Sequence, residues 1–149
     1  MKYEDIGTVD FETEAIESRP HYPPRPVGVA LRYPGGKKEW LAWGHPTKNN
    51  CDVATAYRKL KEVYESPGGV LAHNGMFDFD VAECAFGLKM PAKRHDTLFL
   101  SFLKDPYEET ISLKPLATKY LDIPPDEQED LRDWILANVP ELGRRKTKW

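Results

Sequence analysis

The chain has little cysteine, little net charge and no long apolar run. Cys51 and Cys84 are its only two cysteines, and they stand at no metal-ligand spacing, which speaks against a disulfide-stapled scaffold and predicts free thiols in a reducing compartment. Lys and Arg number 21 against 24 Asp and Glu, a net charge of −3. That balance argues against a nonspecific polycation for nucleic acid or anionic membrane. It leaves open a nucleic-acid enzyme whose metal site is itself built from acids. No apolar stretch approaches the ~20 residues of a membrane span, and Met1-Lys2-Tyr3-Glu4-Asp5 lacks the charged-then-apolar plan of a secretory leader. A cytoplasmic protein with no membrane partner is the expectation. Internal repeats and low-complexity tracts are also missing, and the 13 prolines and 10 glycines punctuate the chain rather than gather into a linker. What is present is ordinary for one domain: 149 residues, 40% hydrophobic and 30% charged, enough to bury close to 70% of the unfolded surface.

Hydrophobic spacing divides the chain into a strand-rich beginning and a helix-rich remainder. Ile6 to Phe11 reads as a strand, and Ser18 to Pro26 as a proline-rich loop in which neither a helix nor a central strand persists. Val27 to Tyr33 and Lys38 to Trp43 read as a hairpin around Pro34-Gly35-Gly36. The period then changes. Asp52 can cap a helix in which Val53, Ala56, Tyr57, Leu60, Val63 and Tyr64 recur at three- and four-residue spacing. Val70-Leu71-Ala72 is a very short strand, and a helix follows from Met76 or Phe77 to Phe86 with Gly87 as its stop. A segment near His95-Asp96-Thr97 leads into the apolar run Leu98 to Leu103. Ser112 is placed to cap a helix carrying Leu113, Leu116, Ala117 and Tyr120, and Asp126 to Val139 reads as a last amphipathic helix. Strands first, then helices alternating with strands, imply an α/β mixed sheet flanked by helices.

Two groups of acids could carry chemistry. In Asp10-Phe11-Glu12 the strand period sends Asp10 and Glu12 to one face and Phe11 to the other. Two carboxylates ~7 Å apart along a strand ionise together most comfortably when a cation sits beside them. Oxygen-only donors suit Mg²⁺ or Mn²⁺ rather than zinc. Taken alone, the pattern equally describes solvated acids at a strand end. Asn74-Gly75-Met76-Phe77-Asp78 lies on a strand-to-helix connection, so Asp78 falls in the first helical turn. An acid there also complements the helix dipole, and Asn with Gly also makes an ordinary turn.

Together the two segments resemble the first and second motifs of the DEDD superfamily of 3′→5′ exonucleases, which has the ribonuclease H-like fold. His95-Asp96-Thr97-Leu98, with Ser112-Leu113, Leu116-Ala117 and Tyr120-Leu121, resembles the stretch between the second and third motifs in proofreading domains of family A DNA polymerases, phage ones included. The likeness covers about residues 4 to 121. It implies that Asp10, Glu12 and Asp78 bind two Mg²⁺ or Mn²⁺ ions. It further implies that Asn74 and Phe77 support the terminal nucleotide, and that Thr13 and Ile16 contact the terminal sugar and wedge against its base. The substrate implied is the single-stranded 3′ end of DNA, with RNA open, and the partner a polymerase domain. Two metals would make a water nucleophilic near neutral pH and neutralise the leaving oxygen, and apolar side chains suit a frayed end. Phe77 and Ile16 read as well as core residues.

The family's fourth carboxylate comes from a Tyr-x-x-x-Asp, and no tyrosine of this chain has Asp four residues on. The expectation is therefore a single exonuclease domain over 1–149, truncated at its C-terminus relative to the family. Asp126, Asp130 and Asp133 are substitutes only if their helix face is not simply solvated. His73 to Asp78 also satisfies the His-x-x-x-x-Asp of the family's other branch. That alignment would require Asp52 to serve as the second motif and would leave Asn74 and Phe77 unexplained, so His73 is expected to be a hydrogen-bonded strand-end residue. Trp40, Trp43, Trp134 and Trp149 read as packing or anchoring residues. The basic run Arg144 to Lys148 reads as a solvated tail or a phosphate contact. Two other readings stay open: a noncatalytic piece that docks to nucleic acid or polymerase, and a ribonuclease H-like nuclease of different polarity.

Overall fold

A computed structural model of the protein describes residues 2–18 and 20–123. The chain divides into two compact units, 1–106 and 107–149. The first holds a five-stranded sheet in the order β3-β2-β1-β4-β5. Its strands are β1 (Gly7–Thr13), β2 (Pro26–Arg32), β3 (Lys38–Ala42), β4 (Val70–Ala72) and β5 (Arg94–Asp96). β1, β2 and β3 pair antiparallel, whereas β4 runs parallel to both β1 and β5. Helix α1 (Val53–Tyr64) links β3 to β4, α2 (Met76–Phe86) links β4 to β5, and α3 (Thr97–Lys104) follows β5 directly. The described part of the second unit contains α4 (Leu113–Leu121).

The core lies on one face of the sheet. Alternation in β1 turns Val9 and Phe11 inward and Asp10 and Glu12 outward. The inner side chains meet Val29, Leu31, Leu41 and Val70, then Leu60 and Val63 of α1 and Phe79 and Ala82 of α2, all buried in one cluster. Leu60, Val63 and Val29 are fully closed to solvent, so each contributes on the order of 1.5–3 kcal/mol by burial. The opposite face is barer: among its residues Asp10, Ala30 and Trp40 are exposed and Thr8 is half-buried.

Local chemistry sets the element ends. Asp52 caps α1 through its carboxylate, which accepts the Thr55 N–H at 2.7 Å. Gly87, at φ +67°, closes α2 in the left-handed conformation that favours glycine. Two elements lie where hydrophobic spacing assigns none, and one expected cap needs correction. The apolar run 98–103 forms a helix, α3, opened by Asp96, whose carboxylate accepts the Leu98 N–H. Arg94–Asp96 is a fifth strand, held by parallel pairing to β4 rather than by any alternation of its own. Ser112 stands at the N-cap of α4 but makes no side-chain capping bond. The helix expected over 126–139, the acids Asp126, Asp130 and Asp133, and the basic tail lie outside the described residues.

Candidate functional site

β4 ends at Ala72, after pairing Gly7 and Thr8 of β1 with Val70 and Leu71. Further along β1, the edge that β4 no longer covers presents the Phe11 N–H, and Asp78 Oδ1 accepts it at 2.9 Å. A side chain from the first turn of α2 thus takes over an acceptor position that a longer β4 would have filled. Asp78 is only 4% exposed. Its carboxyl is pushed up to about 7, chiefly by burial and then by the charges of Asp10 and Asp96, against the Phe11 hydrogen bond. Asp10 is also displaced upward, by partial desolvation, with His73 pulling it back. Glu12 follows two residues along on the same exposed side of β1, and the β1–β2 register slips immediately after it. Irregularities of this kind recur next to active sites, where they re-aim side chains.

The connection that aims Asp78 is itself clamped. Asn74 adopts φ +58°, the left-handed region that Asn tolerates better than most residues. Asp96 at the end of β5 accepts the backbone N–H of Asn74 at 3.0 Å and of Gly75 at 2.8 Å, and that of Leu98 at 2.9 Å. One carboxylate therefore ties β5, the β4–α2 turn and the start of α3 together. Gly75 is required there, because a Cβ would come within 2.9 Å of Ala72 Cβ and 3.0 Å of the Phe79 ring. His73 shares a hydrogen bond with Thr97 through Nδ1 at 2.8 Å, as expected of a strand-end residue, and it also faces Asp10 closely enough to act on its charge.

The structure brings Asp10 and Asp78 together, with Glu12 and Thr13 beside them on β1. Among the described residues no three His, Cys, Asp or Glu side chains are gathered into a cluster that could hold a metal ion; Asp78 spends one oxygen on the Phe11 amide. The Asp10–Asp78 pair still fits a hard divalent cation, since its donors are carboxylate oxygens and both carboxyls are displaced in the direction that a nearby positive charge would reverse. Ile16 is 67% exposed on the loop after β1. Asn74 is exposed. Phe77 is half-buried, packs against the core and lies 6.5 Å from the Tyr22 ring. Tyr22 in turn donates its hydroxyl to Asp80 at 3.3 Å. Sequence reasoning missed the clamp at Asp96 and the nearness of His73 to Asp10. The available signal for the first was an Asp placed to cap the helical start of the 97–104 run.

No family model matches this chain, and no curated protein does. Solved structures do match. Escherichia coli RNase D, described as an exoribonuclease involved in structured RNA processing, superposes with a TM-score of 0.60 at 19% identity over 88% of this chain and 32% of that one. Brucella melitensis NrnC with bound Mg²⁺ gives 0.59 at 20% identity, over 95% and 77%. The same protein bound to pGG gives 0.58 at 24% identity, over 80% and 53%. At such identities the likeness is one of fold. The mixed sheet, its strand order and its flanking helices are those of the ribonuclease H-like α/β fold. The chain spans about half the length of the NrnC chain bound to pGG.

Proposed function

We propose that this chain is a metal-dependent 3′→5′ exonuclease domain that hydrolyses the terminal phosphodiester of single-stranded or frayed DNA ends, as in polymerase proofreading. The observation that carries the reading is the hydrogen bond from the Phe11 N–H to Asp78. It brings an acid from α2 to the strand segment that bears Asp10 and Glu12, 67 residues away in sequence. Asp10, Glu12 and Asp78 would hold Mg²⁺ or Mn²⁺, two ions in a complete site. Such ions, when bound there, would lower the pKa of a water to make it nucleophilic near neutral pH and would offset the charge on the leaving oxygen. The protein's own part is positional. Asp96 fixes the turn that aims Asp78, and Thr13 and Ile16 would contact the terminal sugar and base. The nuclease class is supported by the RNase D likeness and the metal by the Mg²⁺-bound NrnC.

A second reading has an observation of its own: the similar structures are described as an exoribonuclease and as bound to pGG, which favours RNA or a short ribonucleotide. Single-stranded DNA and RNA of one sequence, labelled at the 5′ end, separate the two when incubated with Mn²⁺. The expected result is a ladder shortening from the 3′ end on DNA, absent in chelator, with a blocked 3′ end, and in Asp10→Ala or Asp78→Ala. Preference for the RNA strand would move the assignment to the second reading. Equal binding of single-stranded DNA in chelator with no cleavage under any metal would leave a noncatalytic docking module instead.

A further inference from the structure

The outward face of the sheet carries an aromatic side chain that the acid site does not use. Asp10 stands opposite Ala30 on β2, and Ala30 opposite Trp40 on β3, so the three form one cross-strand row. With strands ~4.8 Å apart, Trp40 begins roughly 10 Å from Asp10. Its neighbour row pairs Glu12 with Gly28. The indole leans over that glycine: a Cβ at Gly28 would meet Trp40 Cη2 at 2.6 Å and Cζ2 at 2.8 Å. The two residues between the acids and the indole are therefore the two smallest available, Ala30 and Gly28. A ring resting on bare backbone keeps its outer surface open, and Trp40 is 45% exposed.

Trp40 also borders two open depressions, one on each side. The first, of about 750 Å³, runs past Asp10 to Arg32 and Lys38. The second, of about 630 Å³, runs past Glu12 and Thr13 to His45. Arg32 is fixed at the far end of the first by its bond to the Ile6 carbonyl at 3.0 Å and by the Tyr3 ring, 4.5 Å from the guanidinium carbon. Glu39, at the same edge, is neutralised by its ion pair with Lys59. An aromatic ring that shares one depression with Asp10 and with the cations Arg32 and Lys38 complements a strand of nucleotides, whose bases stack and whose phosphates carry charge.

We infer that Trp40 is a base-stacking platform for a nucleotide upstream of the scissile phosphodiester, in a single strand whose 3′ end lies at Asp10 and Asp78. The choice of ligand rests on the nuclease reading above. Stacking on one aromatic face tolerates any base, so the platform would set how long a substrate must be rather than its sequence.

The test is binding of fluorescein-labelled oligothymidylate and oligouridylate, five nucleotides long, in Ca²⁺, followed by anisotropy. Trp40→Ala is expected to weaken binding about tenfold or more. Trp40→Phe is expected to restore most of it, whereas Trp40→Leu, which still covers Gly28 but cannot stack, should behave like Ala. Thermal melting of each variant separates loss of fold from loss of stacking. Equal binding by all four proteins, recovery by Leu, or no binding by the unaltered protein would overturn the inference. Hydrolysis of thymidine 5′-p-nitrophenyl phosphate with Mn²⁺, lost in Asp10→Ala, tests the nuclease reading by itself. Ester turnover with Trp40-independent binding would sink the platform alone. Trp40-dependent binding without turnover would sink the nuclease alone.

Discussion

Asp96 offers the sharpest test of how the site is built. Asp96→Ala removes one acceptor group and strands three backbone donors, those of Asn74, Gly75 and Leu98. Hydrogen bonds to a charged group contribute ~1.5–3 kcal/mol each when shielded. Here the Asn74 bond is exposed and the other two are partly buried, so water recovers part of the loss. A value of ~1 kcal/mol apiece is reasonable, consistent with the ~0.5–2 kcal/mol for deleting a helix cap. Removing the Asp96 charge relieves Asp78 slightly, which offsets a fraction of this. The net expectation is a destabilisation of about 2–3 kcal/mol, or a fall in Tm of roughly 5–10 °C for a chain of this size. Asp96→Asn keeps one acceptor oxygen but turns an amide N–H₂ toward one of the donors, and should lose about half as much. Urea and thermal denaturation read the stability, and amide hydrogen exchange reads the place, with Asn74 and Gly75 expected to lose protection first. A Tm within about 2 °C of the unaltered protein for Asp96→Ala would refute the clamp, since those N–H groups would then have other partners.

Asp78 gives a pH prediction. Its carboxyl rises from 3.8 to about 7 on folding, so between these values the folded state binds the proton more tightly than the unfolded chain, and stability falls as pH rises through that window. Asp78→Asn, whose amide oxygen can still accept the Phe11 N–H, should stabilise the protein in chelator at pH 8 by up to about 4 kcal/mol, with little effect at pH 4. A lower Tm for Asp78→Asn at pH 8 would show that the charge is already compensated. Gly28→Ala places a methyl inside the Trp40 ring and should cost about 1–3 kcal/mol in urea denaturation unless the indole moves away freely. Leu60→Ala empties a position fully closed to solvent and should cost about 2–5 kcal/mol in the same assay.

Much of this structure is written in local patterns, and the parts that are not share a cause. Val9 and Phe11 alternate with Asp10 and Glu12, the α1 residues recur at helical spacing, and Asp52 and Gly87 mark helix ends; each is decided within a few residues. β5 is three residues long and two of them are charged, so it becomes a strand only because β4 lies alongside. The run 98–103 is apolar at nearly every position, which leaves period two and period 3.6 indistinguishable; the Asp96 cap decided it. In the site, the strand period put Asp10 and Glu12 on one side, and the turn chemistry put Asp78 in the first turn of α2. The bond that joins Asp78 to Phe11, and the seat of Trp40 over Gly28, depend on sheet register across tens of residues. No short window of sequence contains that information.

The brevity of β4 links these observations. Had β4 continued past Ala72, its own carbonyls would face the Phe11 N–H, and α2 would start too far along to deliver an acid there. Ending the strand after three residues leaves a donor unpaired next to the outward-facing carboxylates of β1. A buried N–H without a partner costs ~1–3 kcal/mol, so the fold gains by placing an acceptor there, and a carboxylate in the first turn of the next helix is within reach. The same step buries Asp78 and brings it toward Asp10. Burial first and the Asp10 charge second raise the Asp78 carboxyl, while Asp10 is raised by its own desolvation, so the pair is costly to ionise unless a cation shares the site. A backbone requirement and an electrostatic one are thus met by a single side chain. Asp78→Leu removes the charge as Asp78→Asn does but leaves the Phe11 N–H without its acceptor, so in chelator it should fall short of Asp78→Asn by about 1–3 kcal/mol at pH 8 and at pH 4 alike. Melting curves read that gap, and equal curves for the two variants would refute the backbone role.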